Sequence, residues 1–286
     1  MRKSVLLWIF ILIQLSPAFA QQSLENSLLW KISENGLEQP SYLFGTIHVI
    51  CPEDFKMDER ILSALQSSKK IVLELNMSDP MLAQEMQQNS INKDFYNIQN
   101  DFEPEAKEAL DEFLSSNYGM GLAQMGIMKP FILSTMVLMK QLPCETPDSY
   151  ELFFTNKSQE WKIPMEGLET AAYQISIFDR IPMERQVADL SKMILTDATE
   201  KEFQGMIEAY LAEDLNKLQE MIQADGLTGE YGEILLNERN RNWIPKIEEF
   251  IKAETTFIAV GAGHFPSEKG VIQLLRNAGY TVEPVR

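Results

Sequence analysis

Two short stretches decide the reading of this chain: Leu43-Phe44-Gly45-Thr46-Ile47-His48 and Ala259-Val260-Gly261-Ala262-Gly263-His264. In each, an apolar β-type run enters a glycine, and a histidine follows three residues later. The sequence contains two histidines in all, one in each stretch. An isolated histidine is most simply a satisfied core residue, but the matched placement of both points to a shared task. Glycine permits a turn with positive φ, and an imidazole near neutral pH offers a nitrogen ligand or a general base.

Outward from the first stretch, residues 28–48 read as a hairpin, because two β-type runs flank the turn-rich Glu34-Asn35-Gly36 and Pro40. Residues 57–68 have helical spacing through Ile61, Leu62 and Leu65, and Ile71-Val72-Leu73-Glu74-Leu75 is a strand expected to run parallel to that of Gly45. Around the second stretch the plan repeats: a strand over 256–260, a turn, a helix over 267–277 stopped by Gly279, and a strand over 280–285. The fold class is therefore α/β (α+β), a central mixed sheet from two βα-type halves, about 28–76 and 254–286. A helical insertion occupies about 77–253. Its helices are expected at 80–88, 104–118, 130–141, 169–178, 183–195 and 199–213, with a short strand at 161–165. Strands sharing one sheet would bring both histidines to a crevice at their C-terminal edge, where open α/β sheets bind ligands.

The first twenty residues place Arg2 and Lys3 before an apolar run at 5–15 and end in Ala18-Phe19-Ala20, the pattern of a secretory signal peptide. The run is too short for a comfortable membrane span. Residues 21–286 then form a single exported domain, periplasmic or secreted, with no integral span after cleavage. With 42 acidic against 25 basic residues, the chain carries a formal charge of −17, which makes nucleic acid a poor partner. Cys51 and Cys144 can pair in an oxidising compartment, and sequence leaves a bridge and two separate thiols equally open. Met120, Met125, Met128, Met136 and Met139 read as core filler, or as the lining of an adaptable groove.

Two imidazoles are too few for a catalytic zinc site, which takes three protein ligands, so a carboxylate is needed. Glu74 is the leading one. It interrupts an apolar strand, where a charge is costly unless paired or ligated. It could bind the ion, act as a base, or form a structural salt bridge. Glu283 is its counterpart in the second half, beside the disturbing Pro284. In the helix read over 232–252, Trp243, Ile247, Phe250 and Ile251 share one face, with Asn240 within it and Arg239 at its edge. Arg241 points to water. Arg239 could hold Glu74, stabilise an oxyanion or bridge two helices; Asn240 supplies a buried hydrogen bond. Pro245 should kink the helix. Glu169, read in the first turn of a helix, is a cap or a second carboxylate for the site. Serine-hydrolase, phosphate-loop and zincin motifs are absent from the sequence.

The ordered set Leu29-Trp30-Lys31-Ile32, Tyr42-Leu43-Phe44-Gly45-Thr46-Ile47-His48, Gly167-Leu168-Glu169-Thr170, Glu238-Arg239-Asn240 and Gly261-Ala262-Gly263-His264 resembles the TraB/GumN family across nearly the whole chain. That family is related to the Tiki proteins, metal-dependent proteases acting on Wnt, and more distantly to erythromycin esterases and haem-binding ChaN proteins. The resemblance implies a site of two Gly-x-x-His motifs with a glutamate and an arginine, here His48, His264, Glu74 and Arg239. It also implies a divalent ion (manganese, cobalt or zinc), a peptide or protein substrate, and hydrolysis by water. A metal or haem binding protein without turnover, and a peptide-binding interaction module, stay open as alternatives.

Overall fold

The protein is described by a computed structural model over residues 24–196 and 198–286; the signal peptide expected at 1–20 lies outside the described residues. The hairpin forms where the turn chemistry requires it. Strands β1 (Leu29–Ser33) and β2 (Ser41–Thr46) pair antiparallel, and Glu34, Asn35 and Gly36 between them all take positive φ, which Gly and Asn tolerate best. Strands β3 (Lys70–Leu75), β4 (Met165–Glu169), β5 (Thr256–Gly261) and β6 (Thr281–Pro284) complete one mixed sheet in the order β4-β3-β5-β2-β1-β6. β2, β5, β3 and β4 are mutually parallel, so the Glu74 strand runs parallel to that of Gly45. β5 is buried at every residue, as expected of a central strand covered on both faces.

Helices α1 (Glu59–Ser67) and α13 (Val271–Asn277) connect β2 to β3 and β5 to β6. Between the halves lie α2 (Leu82–Asn89), α3 (Pro104–Tyr118), α4 (Leu122–Met125), α5 (Pro130–Gln141), α6 (Tyr150–Trp161), α7 (Ala171–Phe178), α8 (Met183–Leu195), α9 (Ala198–Leu211), α10 (Leu215–Ala224), α11 (Gly226–Gly232) and α12 (Glu238–Ala253). The main core packs on the sheet around Trp30, Phe44, Phe154, Trp243 and Phe257. A second core joins α3, α5 and α8 through Leu110, Leu114, Leu133, Val137 and Leu190; Met125 belongs to it and Met128 and Met136 pack against it, whereas Met120 is exposed. Cys51 and Cys144 are joined by a disulfide. Among the described residues, no helix is long and apolar enough to cross a membrane.

Several boundaries differ from the sequence reading for local reasons. The strand expected at 161–165 begins only at Met165, because α6 runs on to Trp161 and is stopped by Lys162 in the left-handed region. Glu169 consequently ends a strand instead of opening a helix. Thr170 caps α7, its hydroxyl accepting from the Tyr173 N–H. The helix expected over 267–277 starts at Val271, after Ser267 takes positive φ. The helix expected over 232–252 is divided by a π-helical turn at Glu233–Asn237, and α12 continues through Pro245 without ending. π turns recur at functional sites, and this one leads directly into Arg239.

Candidate active site

The C-terminal ends of four parallel strands meet at one edge of the sheet, in the register Thr46 opposite Gly261, Leu73 opposite Ala259 and Leu75 opposite Glu169. This alignment carries Glu74, Glu169 and both histidine turns to a common place. Neither Gly45 nor Gly261 takes the positive φ expected of it; that conformation occurs at Gly36, Gly119 and Gly279. Both glycines serve close approach. A Cβ at Gly45 would lie 3.0 Å from Ala262 Cβ and from Phe265 Cε2, so the first turn needs glycine to accommodate the second. At Gly261 a Cβ would stand 3.3 Å from Glu74 Oε1, 3.5 Å from His48 Nε2 and 3.7 Å from His264 Cδ2. The space beside Gly261 is thus the point on which the three side chains converge.

Glu74 is buried on β3. Its Oε1 accepts the Gly261 N–H at 2.8 Å, and its Oε2 accepts from Gln174 Nε2 at 3.0 Å and from Arg239 Nη2. Burial opposes its charge, but Arg239, with the two histidines and the Gly261 amide, outweighs that cost and holds the carboxyl well below the usual range. Arg239 is shared with Glu169: Nε and Nη2 donate to that carboxylate, whose Oε2 also accepts Trp243 Nε1 at 3.0 Å. The guanidinium lies over the Trp243 ring, 4.8 Å from its centroid. For Glu169, burial and the charge of Glu74 prevail over Arg239 and raise the pKa. Arg239 favours the charged form of both carboxyls, and it is burial together with the neighbouring Glu74 charge that sets Glu169 apart from Glu74 in acidity.

His264 is buried, with Nδ1 2.6 Å from Asn240 Oδ1. Asn240 Nδ2 donates to the carbonyls of Lys269 (2.9 Å) and His264 (3.3 Å), which fixes the amide with its oxygen toward the ring. Nδ1 therefore carries the proton, and Nε2 keeps a lone pair that accepts from Arg239 Nη1 at 3.2 Å. Burial, and then the Arg239 charge, push its pKa down to about 3. His48 sits at the rim, its side chain 66% exposed, with Nδ1 3.1 Å from Glu151 Oε1. Desolvation by neighbouring protein opposes protonation of this ring. The Glu151 hydrogen bond and the charges of Glu74 and Glu151 overcome it, so the pKa rises.

His48, His264, Glu74, Glu169, Arg239 and Asn240 thus gather at one site with Gly45 and Gly261. Glu283 does not join them: it lies on the outer strand β6 and faces Lys31 Nζ at 3.4 Å, both half-exposed. Gln174 and Glu151 belong to the site and were not found by sequence reasoning. Both stand within apolar runs, Tyr150-Glu151-Leu152-Phe153-Phe154 and Ala171-Ala172-Tyr173-Gln174-Ile175, but a lone polar residue on a helix ordinarily marks its solvent face, and the sequence reading places no helix over Glu151.

Among the described residues, no three His, Cys, Asp or Glu side chains stand ready-made in a metal-holding arrangement, and Arg239 engages both Glu74 and His264. The donor chemistry nevertheless fits an ion. Glu74 Oε1 and His264 Nε2 are 3.9 Å apart, a separation that two ligands at about 2.0–2.2 Å from one ion can span. Both imidazoles have Nδ1 tied to an oxygen, which turns Nε2 toward the site, as outer partners do for metal-bound histidines.

A mixed sheet whose parallel edge bears two Gly-x-x-His turns, a strand glutamate and a helix arginine defines the class of domain to which this chain conforms. Residues 28–284 match the TraB/PrgY/gumN family, and the chain belongs to it. It is similar to Metalloprotease TIKI1 of Xenopus tropicalis, 23% identical over 319 residues, an alignment covering 92% of this chain. The chain spans 62% of that protein's length. No solved structure matches.

Proposed function

We propose that this chain is a metal-dependent hydrolase that cleaves peptide bonds in a peptide or protein substrate outside the cytoplasm. The observation that carries the reading is the convergence of His48 Nε2, Glu74 Oε1 and the His264 ring on the space beside Gly261. The similarity to a metalloprotease supports the reaction class, and the leader-like first twenty residues support export. His48, His264 and Glu74 would hold a divalent ion, manganese, cobalt or zinc. When bound, such an ion supplies Lewis-acid polarisation and a water nucleophile near neutral pH.

The remaining chemistry belongs to the chain. Glu74 serves as a ligand, since a carboxyl held so far below its usual range is a weak base. Arg239 keeps Glu74 ionised and, once its Nη1 leaves His264 Nε2, presents a donor to the negative charge that develops on a substrate carbonyl. Glu169 accepts from Arg239, Gln174 and Trp243, so it acts as the counter-ion that aims the guanidinium. Asn240 holds the His264 tautomer.

The test uses protein purified without a metal-binding tag and a screen of peptide substrates. Chelation should abolish hydrolysis, and manganese, cobalt or zinc should restore it. Full hydrolysis by both Glu74→Gln and Arg239→Ala variants would overturn the assignment.

A further inference from the structure

Glu151 lies outside every motif that relates this chain to its family, yet its carboxylate is bonded on both oxygens. Oε1 accepts from Thr46 Oγ1 at 2.8 Å and faces His48 Nδ1 at 3.1 Å; Oε2 accepts from Ser149 Oγ at 2.7 Å. Thr46 and His48 flank Ile47, so one carboxylate grips the first turn on both sides of its central residue. Glu151 occupies the first turn of α6, behind the Ser149 cap, where the helix dipole favours a negative charge.

A clasp delivers this helix end to the turn. Ile50 and Asp148 form an isolated antiparallel bridge, each N–H donating to the other's carbonyl at 3.1 and 2.7 Å. The disulfide of Cys51 and Cys144 lies next to it, and Tyr150 Oη donates to the Lys56 carbonyl at 2.9 Å. The chain immediately after His48 is therefore fastened to the chain immediately before Glu151. His264 has an analogous but neutral partner in Asn240, itself fixed by its bonds to the His264 and Lys269 carbonyls.

We infer that Glu151 is the positioning residue for His48: it holds Nδ1–H toward itself and so turns Nε2 toward Glu74 and Gly261. The consequence for ion affinity rests on the proposed metal-dependent reading; the orientation of the ring does not. A carboxylate behind a histidine ligand fixes its tautomer and raises its basicity, and loss of such a partner typically weakens metal affinity 10–100-fold.

The chain's two histidines make the test direct. The full chain, labelled with nitrogen-15 in histidine and free of metal, is compared with Glu151→Ala by ring-nitrogen NMR at a pH above the titration of both rings. In the wild type, His48 should be the Nδ1–H tautomer. In the variant it should pass to a mixture with Nε2–H, while His264, tied to Asn240, keeps its signals and reports an intact fold. If Glu151→Ala does not fold, Glu151→Met carries the same comparison, filling the volume without an acceptor. Zinc and manganese titrations of the same proteins should show the 10–100-fold loss. An unchanged His48 tautomer, or an unchanged affinity despite an altered tautomer, overturns the inference. A wild type that binds no ion overturns the hydrolase reading, and the ring measurement then still decides the role of Glu151.

Discussion

The two Gly-x-x-His turns have the same pattern and nearly opposite surroundings. His264 is buried, partnered by an amide and crowded by Arg239, and its pKa falls to about 3. His48 is open to solvent at the rim, partnered by a carboxylate, and its pKa rises. Their glycines differ as well: Gly45 makes room for the packing of one turn on the other, whereas Gly261 makes room for the site. One motif thus supplies a neutral inner nitrogen and an outer nitrogen that must release a proton before it can ligate. An ion held between them would bind more tightly as pH rises.

The largest expected effect falls on the inner side. Arg239→Ala leaves Glu74 and Glu169 buried without their shared cation, and removing one partner of a buried ion pair costs about 3–5 kcal/mol. Arg241, two residues along and paired with Glu233 in solvent, should cost at most about 1 kcal/mol. Chemical denaturation measures both, and equal losses would mean that the Arg239 cluster is no tighter than a surface pair.

The glycines give the next effect. Gly45→Ala must push a methyl against Ala262 and Phe265, an overpacking expected to cost about 1–3 kcal/mol. Gly261→Ala meets its neighbours at 3.3 Å or more, so it should lose less stability but sharply weaken ion binding. Melting and metal titration of the pair would break the contrast if their roles were exchanged.

The pH dependence is the mildest test. His264 in the folded protein lies below the free-imidazole value of about 6.5. Between about 6.5 and 3 the unfolded chain binds the extra proton, and acidification destabilises the fold. Glu74 adds in the same direction, since its contribution is present above about 4.5 and is lost as pH falls toward its depressed folded value. His48 contributes oppositely: its stabilisation is full below about 6.5 and is lost as pH rises through the raised folded value, weakened by solvent screening. Stability on the acid side should fall with a slope of up to about 1.4 kcal/mol per pH unit for each proton. In the metal-free protein, NMR titration should show His264 still neutral well below pH 6.5, where His48 is protonated. A His264 that titrates near the free-imidazole value would contradict its description as a buried, arginine-crowded ring.

What was legible in sequence had a pattern to carry it. The hairpin, the parallel placement of the Glu74 strand, and α3, α5 and α8 followed from periodicity and from Gly or Pro punctuation. The helix face of Trp243, Ile247 and Ile251 likewise marked Arg239 and Asn240 as buried. The misses concern partners made only in three dimensions. Glu151 is one of 42 acidic residues and is recognisable only once Ile50 meets Asp148 across a disulfide-closed loop. Gln174 lies on the short helix α7, and its use depends on Glu74 and Glu169 ending adjacent strands. Glu283 matched the internal repeat, but its strand is separated from β5 by β2 and β1, too far out in the sheet to reach the site. The two motif glycines do not take positive φ; they allow close approach, which leaves no local signal in sequence.

The central claim is that the two turns share one ion, and metal stoichiometry tests it most directly. The protein, purified without a metal-binding tag, is analysed by elemental mass spectrometry after equilibration with manganese, cobalt or zinc, beside His48→Ala and His264→Ala. The account predicts one ion per chain in the wild type and none at the same free-metal concentration in either variant. Wild-type occupancy in both single variants would contradict it, because each histidine would then be dispensable to the ion that the pair is proposed to hold.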